Sequence, residues 1–463
     1  MGKIKITIED LFNIAGATIY NPDVFKGVTN VVIDSRKAKK GSLFVAIKGE
    51  KYDGHDFVLT ALQNGASALV IDKKKLNKFK SIEVPIITVN NTIKAYGEIA
   101  KIWRNKLTAK VICITGSNGK TTVKEMIATL LSEKYKVIKT EANNNNHIGV
   151  PLTIFSADDK CDILVLELGT NHFGEIEYIS EISRPDIAII TNIGDSHLEF
   201  FKNKEGVFKE KSYLFSVTDK CGGTVFINID DPIIKKLRKI YKNKVTYGFT
   251  GVADVKGKVL KYLDDGRILI EITTKDKTIK TSLPVHGESN SKNFLAAAAV
   301  SIYIGMTLKQ IIEGTGKLKQ VDGRLKVNEL SNNVLIDDSY NSSTTSIQSA
   351  IALVNRIKKY PRKFIIFGDI FELGQYSNKI HEELSQLFRP NKNLIVLTIG
   401  KMMKVLHKSL TRKKIKSIHF NSREELSLFL KYEEIENSVI LIKGSRGMKM
   451  EEFLNILEKR LIA

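Results

Sequence analysis

Cysteine is scarce in this chain: Cys113, Cys161 and Cys221 stand scattered among 463 residues. That excludes a disulfide framework and leaves no metal-binding spacing, as expected for a chain kept reduced in a cytoplasm. Long apolar runs are missing as well. The longest, residues 295–306, is Ala-rich, contains Ser301 and falls short of the ~20 residues that cross a bilayer. Lys3 and Lys5 are followed by no apolar stretch and no small-residue cleavage site, so export is not expected. Acidic residues are outnumbered, 51 Asp and Glu against 72 Lys and Arg, for a formal charge of +21. The lysines are spread along the chain, with one Trp and no recognisable nucleic-acid module, so nucleic acid is not the expected partner. Compositional bias explains such an excess without function; a polyanionic small substrate drawn into a basic cleft explains it with one.

What is present describes a folded α/β protein. Hydrophobic residues make up 43% of the chain, and its length exceeds one ordinary core, suggesting roughly three domains of about 150 residues each. Residues 1–107 read as a small mixed α/β domain, with strands expected near 29–34, 42–47, 68–72 and 85–89 and a helix over 92–106. Residues 108–317 alternate continuous apolar strands (162–168, 186–191, 223–228) with helical patterns. Such runs belong to a doubly wound, mostly parallel sheet covered on both faces. An antiparallel insert is expected over 255–283, turning at Asp264, Asp265 and Gly266. In residues 318–463 the alternation restarts, with strands near 333–337, 363–367, 393–398 and 438–443. This reads as a Rossmann-like domain whose strand ends carry Asp338, Gly368, Asp369 and Arg446.

The most informative segment runs from residue 111 to 122. A buried strand, residues 111–114, feeds Gly116, Ser117, Asn118, Gly119, Lys120, Thr121 and Thr122, and a helical pattern follows. The glycines let backbone amides face a phosphate, Lys120 adds a mobile positive charge, and Thr121 offers a hydroxyl to Mg²⁺. The general phosphate-loop pattern is met except that Ile114 occupies the place of its first Gly. Glu167 ends an apolar strand, where an ionised carboxylate is costly unless a cation attends it. The next strand leads to His197, a second candidate metal ligand.

With those residues in place, the chain resembles the Mur ligases, ATP-dependent amide-bond ligases of peptidoglycan synthesis. Gly116 to Thr122, Asn143 to Thr153, Glu167 to His172 and His197 to Glu199 carry the resemblance. The member that adds D-alanyl-D-alanine to UDP-N-acetylmuramoyl-tripeptide is marked by Asn145 to Gly149, Asp338 to Asn341 with Thr345 and Ser346, Gly368 to Gly374 with His381, and Lys443 to Arg446 with Met450 and Glu451. The resemblance implies that Lys120 and the loop amides hold ATP phosphates. Thr121 and Glu167 would hold one Mg²⁺, and His197 would help to hold a second. Lys211 aligns with a lysine that reacts with CO₂ to become a carbamate and a metal ligand; Lys209 is its neighbouring competitor. Asn290 and Asn293 would meet the adenine, although Ser289 stands where the family has His; read by itself, Asn290 caps the helix that follows. Arg324 would reach an ATP phosphate, with Asp338 and Asn341 near the ribose. Ser35 and Arg36 would contact the pyrophosphate of the UDP substrate. A monomer is expected. The rivals are another Mur ligase, a folylpolyglutamate-synthetase-like ligase and a nucleotide switch without ligation. The Mur ligase that adds the third amino acid should carry an Asp-Asn-Pro-Arg motif where Asp338 to Asn341 stand instead.

Overall fold

The structure is a computed structural model that describes residues 4–462. The chain divides into two compact units. One comprises the residues up to 115, 134–189 and 212–225; the other comprises 116–133, 190–211 and 226 onward.

The first unit opens with a five-stranded sheet of β1 (Thr18–Tyr20), β2 (Asn30–Val32), β3 (Ser42–Val45), β4 (Ala66–Asp72) and β5 (Ile86–Val89), in the order β1-β5-β4-β3-β2. Only β1 pairs antiparallel. Strands β3 and β5, mostly apolar, are buried throughout, which suits strands covered on both faces. The helix Thr92–Lys106 starts at Asn91, whose side chain accepts from the Lys94 amide. Its far end is fixed by polar side chains. Trp103 Nε1 donates to the Ala157 carbonyl at 3.0 Å, and the buried Arg104 guanidinium reaches Ser183 O, Arg184 O and Asp186.

The central sheet contains β6 (Lys110–Thr115), β7 (Val137–Lys139), β8 (Ile163–Glu167), β9 (Ile187–Ile190), β10 (Thr224–Asn228), β11 (Lys244–Gly248), β12 (Val255–Tyr262), β13 (Arg267–Thr273) and β14 (Thr278–His286). Their order is β14-β13-β12-β11-β10-β9-β6-β8-β7. Strands β9 and β10 each begin in the first unit and end in the second. In the first unit β6 and β7 flank β8 in parallel; in the second, β12 to β14 form the expected antiparallel insert. The helix Glu288–Ile304 packs on the helix Lys120–Leu131, and its buried alanines 296–299 permit close approach.

The second unit also holds β15 (Lys326–Leu330), β16 (Asn333–Asp338), β17 (Arg362–Gly368), β18 (Leu394–Ile399), β19 (Ser417–Phe420) and β20 (Ser438–Lys443), ordered β15-β16-β20-β17-β18-β19. All pairs but β15·β16 are parallel, the Rossmann-like arrangement expected. Strands β1, β7, β11, β15 and β19 lie outside the strands expected from sequence; none of them is buried throughout, so none offers a continuous apolar run.

Candidate active site

β6 delivers the chain into a loop that turns through Gly116 (φ +147°) and Gly119 (φ +82°) before the helix Lys120–Leu131. Close approach demands both glycines. A Cβ on Gly116 would meet Thr191 Oγ1 at 1.9 Å, and one on Gly119 would meet Asn293 Oδ1 at 2.4 Å. Gly119 presents no side chain to the first helical amides, and the positive end of the helix dipole favours an anion there. Lys120 Nζ donates to the Gly116 carbonyl at 2.9 Å, so this lysine lies folded along the loop. Thr121 is half-buried and Thr122 buried in the first turn.

The segment after β9 braces this loop. The Ser117 amide donates to Asn192 O at 3.0 Å, and Ser117 Oγ accepts from the Gly194 amide at 2.8 Å. The Asn118 amide donates to Asn192 Oδ1 at 3.0 Å, while its carbonyl accepts from Thr191 Oγ1 and Asn192 Nδ2. The Asn118 side chain reaches the third sheet's first helix, Thr344–Arg356. Its Nδ2 donates to Thr345 Oγ1 at 2.7 Å and its Oδ1 accepts from Ser343 Oγ at 3.0 Å. Asn192 and Ser343 went unnoticed in the sequence, and Thr345 was a marker without a task.

His197 stands at positive φ (52°) ahead of the short helix Leu198–Phe201. Its Nδ1 lies 2.5 Å from Glu372 Oε2, and that contact with His197 holds the Glu372 carboxyl below the usual carboxylate range. Lys211, on the helix Lys204–Lys220, is 1% exposed. Burial pushes its ammonium well below its ordinary pKa, and the Lys120 charge adds to the effect against Glu210. Lys209, the competitor, is exposed.

Asn290 is buried and donates to the His286 carbonyl at 2.8 Å, and Asn293 donates to Asn290 Oδ1 at 3.3 Å. The helix cap is Gly287, so Asn290 sits in the first turn and the capping role read for it is corrected. The Arg324 guanidinium stacks 4.3 Å from the Tyr340 ring centre, and Arg446 lies 5.3 Å from the same ring. Asp338 is buried; Lys443 Nζ donates to one carboxylate oxygen at 2.5 Å and the Leu325 amide to the other. Burial raises the Asp338 carboxyl despite Lys443. Asn341 is exposed and accepts through Oδ1 from the Ser342 amide.

The remaining candidates belong to the first unit. Glu167 ends β8 level with Ile114 of β6, is 2% exposed, and accepts through Oε1 from Asn145 Nδ2 at 3.0 Å. Ser35 is buried, whereas Arg36 is exposed and paired with Asp34 at 2.8 Å. Nearby, both ring nitrogens of His55 are engaged, by Asp53 and by the Asp72 amide, so this residue braces the fold. No helix among the described residues is long and apolar enough to cross a membrane.

Comparison with known proteins gives three consecutive family matches. Residues 27–104 match the Mur ligase family catalytic domain, 114–301 the Mur ligase middle domain, and 323–446 the Mur ligase glutamate ligase domain. UDP-N-acetylmuramoyl-tripeptide–D-alanyl-D-alanine ligase of Bacillus subtilis is 32% identical over 98% of both chains. A crystal structure of MurF from Acinetobacter baumannii superposes with a TM-score of 0.88 at 28% identity, over 99% of this chain and all (100%) of that one. MurF ligase from Thermotoga maritima, solved in complex with ADP, gives 0.83 at 30% identity, over 93% and 97% of the two chains. This chain belongs to the Mur ligase family.

Proposed function

We propose that this chain joins D-alanyl-D-alanine to UDP-N-acetylmuramoyl-tripeptide at the expense of ATP, a step of peptidoglycan precursor synthesis. The observation that carries the reading is a braced phosphate loop whose Lys120 shares its surroundings with a buried lysine, Lys211, disfavoured as an ammonium. Neutral amine is the form that adds CO₂. Loss of a proton then yields a carbamate, exchanging an awkward positive charge for a negative one. That exchange fits a magnesium site, as does a partly exposed His197. Among the described residues no three His, Cys, Asp or Glu side chains form a ready cage.

Two Mg²⁺ would be held by Thr121, Glu167, His197 and carbamylated Lys211, and would supply positive charge against the phosphate oxygens. Lys120 and the amides of residues 116–122 bind and orient those phosphates. Asn290 and Asn293 serve the adenine, Asp338 and Asn341 the ribose end, and Arg324 leaves Tyr340 for a phosphate. Ser35 and Arg36 take the UDP end of the acceptor. The tripeptide carboxylate attacks the γ-phosphorus, the bond to the β-γ bridging oxygen breaks, and ADP leaves. The dipeptide amine then attacks the acyl carbon, loses a proton, and expels phosphate from a tetrahedral intermediate. In-line approach of two anions requires this charge compensation and fixed orientation.

The three tasks divide among residues 1–107 for the UDP substrate, 108–317 for ATP, and 318–463 for closing on ATP and receiving the dipeptide. A monomer in the cytoplasm, where ATP and nucleotide-linked precursors are found, completes the reading. Purified protein given Mg-ATP and both reactants should form the UDP-linked pentapeptide by mass, with one ADP and one phosphate per bond. Lys120→Ala should lower that rate by at least about 10²–10³-fold. Product formation with single amino acids in place of the dipeptide would instead identify another member of the family.

A further inference from the structure

We propose that Asn228 and Asp231 are positioning residues for nucleotide binding, fixing the phosphate loop through the residue they hold between them, Asn192. The proposal rests on the reading that residues 116–122 hold ATP phosphates. All the residues concerned lie in the second unit.

Asn192 is what the loop leans on. Its Oδ1 accepts from the Asn118 amide at 3.0 Å, and its Nδ2 donates to the Asn118 carbonyl at 3.0 Å. Its own carbonyl accepts from the Ser117 amide at 3.0 Å. Three consecutive peptide groups, from Gly116 to Gly119, are thereby fixed in direction. The amides that follow open the helix Lys120–Leu131, where no carbonyl one turn earlier in the helix can engage them, so their aim at a phosphate is inherited from the loop.

Asn192 is held from behind in its turn. The Thr191 carbonyl accepts from Asn228 Nδ2 at 2.8 Å, and the Ile193 amide donates to Asp231 Oδ2 at 2.8 Å. These are the peptide groups before and after Asn192, so its backbone is gripped on both sides. The gripping turn is itself braced. Asn228 Oδ1 accepts from the Asp230 amide at 3.0 Å, and Asp231 Oδ1 accepts from the Ile233 and Ile234 amides at 2.9 and 3.0 Å. One oxygen of buried Asp231 therefore caps its own turn, while the other reaches a segment 38 residues earlier in the chain. A hydrogen bond to a carboxylate is among the stronger kinds, which suits a fixed mount.

Asp230 supplies the contrast. It shares the turn, and its carboxylate accepts from the Phe249 amide at 2.7 Å, the Thr250 amide at 2.9 Å and Thr250 Oγ1 at 2.6 Å. Those bonds run to the loop after β11, not to residues 191–194. Loss of either carboxylate loosens the turn; only loss of Asp231 frees Asn192.

The test is calorimetric titration of the full chain with ADP and Mg²⁺, with melting temperatures taken on the same samples. Asp231→Asn and Asn228→Ala should each weaken ADP binding about five- to tenfold. In steady-state kinetics KM for ATP should rise while KM for the dipeptide holds. Asp230→Asn should lower the melting temperature comparably and bind ADP as the native chain does. Once Asn192 is Ala, Asp231→Asn should add no further loss of affinity. Native ADP affinity in both Asp231→Asn and Asn228→Ala overturns the proposal. An equal loss in Asp230→Asn also overturns it, because the effect is then one of general stability. If Asp231→Asn does not fold, Asn228→Ala, a neutral change at a half-buried position, decides by itself. Lys120→Ala separates the two readings: unchanged ADP binding there removes the phosphate-loop assignment and this proposal with it. Weakened binding there, with native affinity in the Asn228 and Asp231 variants, overturns the proposal alone.

Discussion

At the scale of single residues, burial separates chemistry from decoration. Lys209, Glu210 and Lys211 look alike in sequence, a charged stretch of a helix. Folding leaves Lys209 exposed and buries Lys211 beside Lys120. The unfolded chain holds that proton up to about its ordinary pKa of 10.5, whereas the folded chain releases it at lower pH. Stability therefore climbs with pH across that interval and is penalised below it. Lys211→Met in CO₂-free buffer should raise the melting temperature by a few degrees at pH 7, and calorimetry should show the gain shrinking as pH approaches 10.5. Ligation should be lost in the same variant. A melting temperature that falls at pH 7 would show the ammonium to be well accommodated.

Between elements, pairs of polar side chains tie the second unit together. Asp338 and Lys443 face each other in register on parallel strands β16 and β20, both buried. Lys443→Met leaves the carboxylate without its cation and should cost about 3–5 kcal/mol in urea unfolding. Adding Asp338→Asn should recover part of that loss, because the stranded charge is gone. The second tie joins the phosphate loop to the helix Thr344–Arg356 through Asn118 and Thr345. Thr345→Val preserves shape and removes one hydrogen bond, so kcat/KM for ATP should fall roughly two- to tenfold in steady-state kinetics. These ties also explain what the sequence could and could not reveal. Apolar strands such as β3, β8 and β20 announce themselves as continuous runs, and the helix Thr92–Lys106 shows both its period and its cap. Asn192 and Ser343 have no such signature, since each matters through a contact with a residue remote in the chain.

For the whole molecule, the net charge of +21 acts on every approaching anion. Both ATP and a UDP-linked peptide carry several negative charges, so long-range attraction should assist encounter and fade with screening. Raising ionic strength from about 0.05 to about 0.5 M should lower kcat/KM for the UDP substrate several-fold, with kcat little altered, because bound charges at short range are screened less. A salt-independent kcat/KM would assign the lysine excess to composition alone.

The amino-acid order by itself determined the α/β alternation and the phosphate loop, because both are written in neighbouring residues. Hydrophobic period, glycine placement and the Gly119-Lys120-Thr121 succession are local and survive without coordinates. Tertiary structure alone decided which lysine is buried, which carboxylate lies beside His197, and that Asn118 answers to Thr345. The reason is that a hydrogen bond or a desolvated charge depends on what lies across space, and a side chain carries no mark of its partner until the chain has folded.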